Sequence, residues 1–432
     1  MKWILTLSFL LLSTFVRAQE ALYPTVDELA EAVEEQVVQW RRHLHQNPEL
    51  SNREFKTAEM VAEHLKSLGM EVQTGVAHTG VVGLLKGGKP GPVVALRADM
   101  DALPVTERVD IPFASKVRST YNGQEVGVMH ACGHDTHVAI LMGTAKVLAE
   151  MKDDLKGTVK FIFQPAEEGA PEGEEGGAYL MVKEGVMENP TVDATFGLHI
   201  SSQTPAGVIT FRPGGTMASA DFLRIKVKGK QTHGARPWAG ADPIVAAAQI
   251  IMGLQTIVSR QIALTENAAV VTIGAIHGGV RNNIIPEEVE MVGTIRALDP
   301  EMQADIHERI IRTATNIAEA SGVTAEVTIG PGGYPVTFND QDLTAQMLPS
   351  LQAVAGAENV VLINAITGAE DFSFYQKEAP GFFFFLGGMD PEKKPYEVAP
   401  HHTPDFYIDE RGFTLGVRAF CRLTLDYMYQ NK

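Results

Sequence analysis

Three apolar runs in the first half of this 432-residue chain, Val93–Ala98, Thr158–Phe163 and Ala194–Leu198, each lead straight into a polar cluster. The runs are too short for helices and read as buried strands. Asp99-Met100-Asp101 follows the first, Gln164-Pro165-Ala166-Glu167-Glu168-Gly169 the second, and His199 the third. In open α/β sheets, ligands bind beyond the carboxyl ends of the strands, so these clusters are expected to meet in one place.

Between the first two strands lies His130-Ala131-Cys132-Gly133-His134-Asp135-Thr136-His137, with three of the thirteen histidines and one of the two cysteines. In extended backbone Cys132 and His134 fall on one side, so that a soft sulfur and an imidazole nitrogen converge as a transition-metal site requires. In a helix, His130, His134 and His137 share a face and Cys132 points away. The residues by themselves leave both readings open. An amphipathic helix follows, marked by Val138, Leu141, Met142, Ala145 and Leu148, with Asp135 or Thr136 as its cap.

Other helices are expected over Val26–Leu44 and from Phe55 to Leu68, the second stopped by Gly69. From about Asp221 a self-contained β-α-β-β-α-β unit is predicted, with strands at Phe222–Val227, Ala268–Ile276, Val289–Ala297 and Thr324–Ile329. The expected fold is α/β: a mixed-sheet, helix-covered domain over residues 19–217 and 331–432, with a smaller ferredoxin-like α+β domain inserted over 218–330.

Residues 1–18 read as a cleavable secretory signal. Lys2 precedes the apolar run Ile4–Val16, and Val16-Arg17-Ala18 offers small residues for cleavage after Ala18. The run is shorter than a membrane-spanning helix, and no other stretch is read as a span. Cleavage leaves 414 residues and, with Lys2 and Arg17 removed, takes the formal charge from −17 to −19. An exported, acidic chain without basic runs is a poor partner for nucleic acid or anionic membrane. Two cysteines make no disulfide framework, and Cys421 is assigned as a buried thiol.

Glu167 and Glu168 are neighbours at a strand end, so in extended backbone their side chains point opposite ways. They suit a division of labour, one carboxylate on a metal and the other holding the attacking water. Asp101 is short and acceptor-only, suited to receive an N–H from a ligating imidazole. His199 alone reads more readily as a core or surface histidine than as a ligand, and His401-His402 alone as a loop; their place on this chain is what raises them.

Taken in order, Arg97–Pro104, His130–His137, Gln164–Gly169, Gly197-Leu198-His199, Thr232–Pro237, Asn283-Ile284-Ile285-Pro286 and Glu370-Asp371-Phe372 resemble the M20 metallopeptidase family. More narrowly they resemble its amidohydrolase branch of hippurate hydrolases, N-acyl-amino-acid deacylases and indole-acetyl-amino-acid hydrolases. The resemblance covers nearly the whole mature chain. It implies a site for two divalent metal ions (Zn, or Mn, Ni or Co) held by Cys132, His134, Glu168, His199 and a late histidine. Counting back from Pro404 selects His402, with His401 as the alternative. On that ligand set the extended reading of Cys132 and His134 is preferred, with His130 and His137 as flanking structural residues.

The mechanism so implied has Glu167 take the proton of a metal-activated water and hand it to the leaving amine. The resemblance also implies that His233 completes the site of a partner subunit in a homodimer formed through the inserted domain. Without it, His233 reads as a turn histidine. Arg281 and Asn283 are assigned to the substrate carboxylate, since Arg suits bidentate capture. The expected activity is exported, metal-dependent hydrolysis of N-acyl amino acids or small peptides. A metallo-carboxypeptidase or dipeptidase is the alternative, and a non-catalytic metal- or ligand-binding protein a third.

Overall fold

The computed structural model describes residues 19–330 and 333–431, so the expected signal segment lies outside the described residues. Two compact units are present. The first runs to Pro213 and resumes over Asn339–Ile363 and Phe374–Lys432; the second comprises Gly214–Phe338 and Asn364–Ser373. The second unit thus extends beyond the expected 218–330 and recruits a separate later segment. Ile366 and Gly368 explain the addition, since their carbonyls both accept from Ala218 N–H.

The first unit is built on an eight-stranded mixed sheet. Its strands are β1 (Glu71–Val76), β2 (Gly80–Lys86), β3 (Lys89–Asp99), β4 (Lys156–Gln164), β5 (Ala194–Pro205), β6 (Ile209–Phe211), β7 (Val360–Leu362) and β8 (Gly381–Met389). The order is β1-β2-β4-β3-β5-β8-β6-β7. The four central strands β4, β3, β5 and β8 are parallel to one another. Every residue of β8 is buried, the continuous apolar pattern of a strand covered on both faces.

Helices α1 (Tyr23–Gln46), α2 (Phe55–Ser67), α3 (His134–Glu150), α4 (Gln341–Ala355) and α5 (Phe413–Gln430) cover the sheet. α1, α3 and α5 pack on one another, and α3 and α5 also meet β3. One core cluster joins Val33 and Val37 of α1, Leu141 of α3, Leu96 of β3, Phe196 of β5 and Phe384 of β8. The chain leaves β3 to β4 on one side and later reaches β5 on the other, so the topological switch point lies at β3. Asp99 closes that strand, which places the polar clusters where such sheets bind ligands.

The second unit contains a four-stranded antiparallel sheet ordered second-third-first-fourth: Ala269–Gly278, Glu288–Ala297, Asp221–Lys228 and Thr324–Ile329. Its helices Pro243–Arg260 and Pro300–Ala320 start alike. Asp242 accepts from Ile244 N–H and Asp299 from Met302 N–H, each just before a proline. Leu223, Ile225 and Val227 alternate inward along the first strand and pack with Ile250, Leu254, Ile306 and Ile310. Pro243–Arg260 is, against the sequence reading, long and apolar enough by composition to cross a membrane. Its Ala246, Ala247, Ile250, Leu254 and Ile257 are instead buried in this core.

Candidate metal centre

α3 begins at His134, before both of the expected caps, Asp135 and Thr136, which lie in its first turn. Gly133 is its N-cap, in left-handed conformation at φ 96°. A Cβ on Gly133 would lie 2.3 Å from Cγ2 of Ile200, so both conformation and space require glycine there. Cys132 and His134 therefore approach each other across a left-handed turn and a helix start, not along an extended strand.

Asp101, just past β3, is fully buried and is the hub of the site. It lies 3.2 Å from His134 Nδ1 and accepts Ser51 Oγ–H at 2.8 Å. The same carboxylate accepts the backbone N–H groups of Glu167 and Glu168, each at 3.0 Å. A carboxylate accepts only, so Nδ1 of His134 carries a hydrogen, and Nε2 is the nitrogen left to take either a proton or a metal. That Nε2 is buried without a hydrogen-bond partner, 3.8 Å from Glu167 Oε2 and 3.9 Å from Glu168 Oε1.

The two glutamates thus face the same imidazole, contrary to the alternation expected of extended backbone. The reason is Ala166, whose φ of 52° turns the chain left-handed directly before them.

His199 follows the same logic. Its Nδ1 lies 2.6 Å from the Ile200 carbonyl, leaving Nε2 bare and 3.4 Å from Cys132 Sγ. Burial, then the neighbouring His137 and His401, hold its pKa well below the usual range, so the ring is neutral with its lone pair free. His402 Nε2 lies 3.0 Å from Glu168 Oε1 and 3.3 Å from Cys132 Sγ. It does so at φ 62°, a second non-glycine residue in left-handed backbone beside the cluster.

By distance alone His401 also groups with Cys132 and His199. Both of its nitrogens are engaged by backbone, however: Nδ1 is 3.1 Å from the Cys132 carbonyl and Nε2 accepts from Ser202 N–H at 3.2 Å. Asp99, His134 and His137 form another group by distance. There Nδ1 of His137 is held by Asp99 at 2.5 Å, and Nε2 accepts from Ile200 N–H at 2.8 Å. His137 fixes β5 against α3. His130 is buried at 1% exposure with neither nitrogen hydrogen-bonded, and burial lowers its pKa to about 4.

The electrostatics of the cluster are anionic. Burial, then the charges of Glu168, Glu167 and Asp99, push the Cys132 thiol well above its ordinary value. Burial opposes a charged His134, yet Asp99, Asp101 and Glu168 outweigh it and lift its pKa to about 10. A field that favours a proton on a bare imidazole nitrogen also favours a divalent cation there, and the cation competes with that proton. Sulfur, two imidazole nitrogens and a carboxylate form a donor set that fits a transition metal once the proton on His134 is displaced.

His233, Arg281 and Asn283 lie in the second unit and are exposed. The two-residue strand Thr232–His233 pairs with Ile284–Ile285, and the Asn283 carbonyl accepts from Gly234 N–H at 2.8 Å. His233 Nδ1 accepts from Ala235 N–H at 3.0 Å.

Sequence reading passed over a buried ionic network behind the cluster. Arg41 Nε lies 3.0 Å from Asp135 Oδ2, His45 Nδ1 2.8 Å from the same oxygen, and His45 Nε2 3.2 Å from Glu107. The run Arg41-Arg42-His43-Leu44-His45 at the end of a helix was the available signal. It also passed over Glu54, fully buried, whose carboxyl burial and then the Asp101 charge raise to about 8.

Residues 95–426 match the model for peptidase family M20/M25/M40. The chain belongs to that family. It is an M20 metallohydrolase, acting on amides or peptides. The chain is 43% identical over 396 residues to thermostable carboxypeptidase 2 of Saccharolobus solfataricus, covering 91% of this chain and 96% of that one. It is 38% identical over 395 residues to IAA-amino acid hydrolase ILR1-like 4 of Arabidopsis thaliana, covering 91% and 86%. The crystal structure of the Bacillus subtilis YXEP protein, described as a dinuclear metal binding peptidase from the M20 family, superposes with TM-score 0.75 at 36% identity. It covers 91% of this chain and 98% of that one.

Proposed function

We propose that this M20 enzyme is an exported amidohydrolase that cleaves the amide bond of N-acyl amino acids. The observation that carries the reading is the convergence of the Nε2 atoms of His134 and His199 on the Cys132 thiol and the Glu168 carboxylate. In this reading Cys132, His134, Glu168, His199 and His402 hold two divalent cations, with zinc favoured by thiolate and imidazole and manganese, nickel or cobalt as the other candidates. The cations supply a Lewis acid for the scissile carbonyl and lower the pKa of the attacking water. Glu167, outside the ligand set, takes the proton from that water and returns it to the leaving amine. Asp101 fixes the tautomer of His134 and holds the Glu167–Glu168 backbone through two amides.

His233 is assigned to the developing oxyanion, and Arg281 with Asn283 to the substrate carboxylate. A homodimer through the second unit is part of the proposal. Ile244, Val245 and Met252 on its helix and Ile276 on its edge strand are exposed, which supports an apolar pairing face. Export rests on the apolar N-terminal run of the sequence.

The carboxypeptidase name of the Saccharolobus solfataricus relative supports a second reading, a metallo-carboxypeptidase or dipeptidase. Hydrolysis of benzoyl-glycine and of free dipeptides by metal-reconstituted protein separates the two. Faster turnover of benzoyl-glycine is expected, and faster dipeptide turnover favours the alternative.

A further inference from the structure

Glu54 occupies the N-cap of α2, a position where a short polar side chain ordinarily accepts from the first free amides of the helix. Its carboxyl does not cap. Glu49 takes that role instead, accepting from Lys56 N–H and Thr57 N–H, both at 2.9 Å. Glu54 is thereby free to point into the protein, where it is 0% exposed.

There Oε1 of Glu54 accepts from Ala166 N–H at 2.9 Å, and Oε2 accepts from Thr79 Oγ1–H. Three successive amides, those of Ala166, Glu167 and Glu168, are thus each claimed by a buried carboxyl group, the first by Glu54 and the others by Asp101. Ala166 is the residue at φ 52°, a conformation that an L side chain resists. Strained backbone of this kind persists only where its surroundings over-determine it. Asp101 anchors the turn from the side of the two glutamates, and Glu54 anchors it at the strained residue itself.

We propose that Glu54 is a positioning residue, holding Ala166 in the left-handed turn that delivers the carboxylate of Glu167 to its place beside His134. The inference rests on the role given to Glu167 above, and it deepens that role. Glu54 acts through its reach and its hydrogen bonds. Gln is the same length, accepts from Ala166 N–H with its carbonyl oxygen and has an amide for the Thr79 hydroxyl. Asp keeps the carboxyl group and is one carbon too short to span Thr79 and Ala166 together.

The test compares Glu54→Gln, Glu54→Asp and Glu54→Ala with wild type after zinc reconstitution, reading kcat and KM on benzoyl-glycine, zinc stoichiometry, and the crystallographic φ of residue 166. Expected are near wild-type kcat for Gln and a kcat lowered about 100-fold for Asp and Ala, the scale of a 1 Å misplacement. KM and bound zinc stay unchanged, and residue 166 moves away from positive φ in Asp and Ala only. Gln and Asp are present so that a failure of Ala to fold leaves the order of the two conservative variants to decide. An active Asp variant beside an inactive Gln variant overturns the proposal, because charge and not reach would then be required. A left-handed residue 166 in both Asp and Ala overturns it as well. If wild type turns over no substrate, the functional reading fails by itself, and the φ of residue 166 still decides whether Glu54 holds the turn.

Discussion

Asp101 Oδ1 lies 3.2 Å from His134 Nδ1 and accepts the Glu167 amide at 3.0 Å, so one buried carboxylate sets both an imidazole tautomer and the path of the backbone at the proposed base. Its pKa is lowered: burial works against the charge, and the hydrogen bond and charge of His134 outweigh burial. Asp101→Asn replaces one of the two oxygens by an NH2 group, and either oxygen already accepts a backbone amide, that of Glu167 at Oδ1 and that of Glu168 at Oδ2. Metal affinity is expected to fall about 10- to 100-fold, the usual cost of losing such an outer partner. Competition with a chromophoric chelator measures it.

Glu54 also makes a pH prediction. Its carboxyl is raised from 4.5 to about 8 in the folded chain, so between those values the native state binds a proton that the unfolded chain releases. The protonated form supports folding below about pH 4.5, and that support is lost as pH rises toward 8. Glu54→Gln has no such proton to lose. Its Tm relative to wild type should rise steadily across this window and level off above it, in a thermal-unfolding series. A constant difference contradicts the assignment.

Arg41 and Asp135 are each 0% exposed and 3.0 Å apart, with His45 on the same oxygen. Breaking a buried pair by removing one partner leaves an uncompensated charge, at a cost of about 3–5 kcal/mol. Asp135→Asn is expected to lower unfolding stability by that amount in urea titration. The double variant Arg41→Met/Asp135→Asn removes both charges and should cost less. Equal losses would show that packing and not charge dominates here.

Gly133 tests the local geometry. Gly133→Ala must leave φ 96° or push its Cβ into Ile200, and strained backbone of this kind costs about 1–3 kcal/mol. Stability should fall by at least that much. Metal retention should fall with it, because Cys132 and His134 flank the turn. A stable variant with full metal content would show that the turn can relax without moving them.

Much of the architecture is legible in the sequence because it follows from period and punctuation. The β-α-β-β-α-β order of the second unit shows in its alternating strands and its two Asp-Pro helix starts. The gathering of Cys132, His134, Glu168 and His199 is legible because each sits at or near the end of a buried strand or the start of a buried helix. What is hidden depends on contacts distant in sequence or on single backbone angles. β1 is mostly exposed along its length and carries no apolar alternation, so it passes unseen. The facing of Glu167 and Glu168 toward one imidazole requires the left-handed Ala166, which no propensity indicates for alanine. His45 and Asp135 are separated by 90 residues, and Glu54 and Ala166 by 112. Only the packing of α1 against α3 and of α2 against β1 and β2 joins them.

The central claim is that Glu167 moves the proton while other residues hold the metal. Glu167→Gln keeps the shape of the side chain and removes its basicity. Turnover of benzoyl-glycine by the zinc-reconstituted variant, measured beside its zinc stoichiometry, tests this most directly. The account predicts a loss of at least about 100-fold in kcat, the low end of general acid–base contributions, with zinc content equal to wild type. A Gln variant that retains activity, or one that loses its zinc, contradicts it.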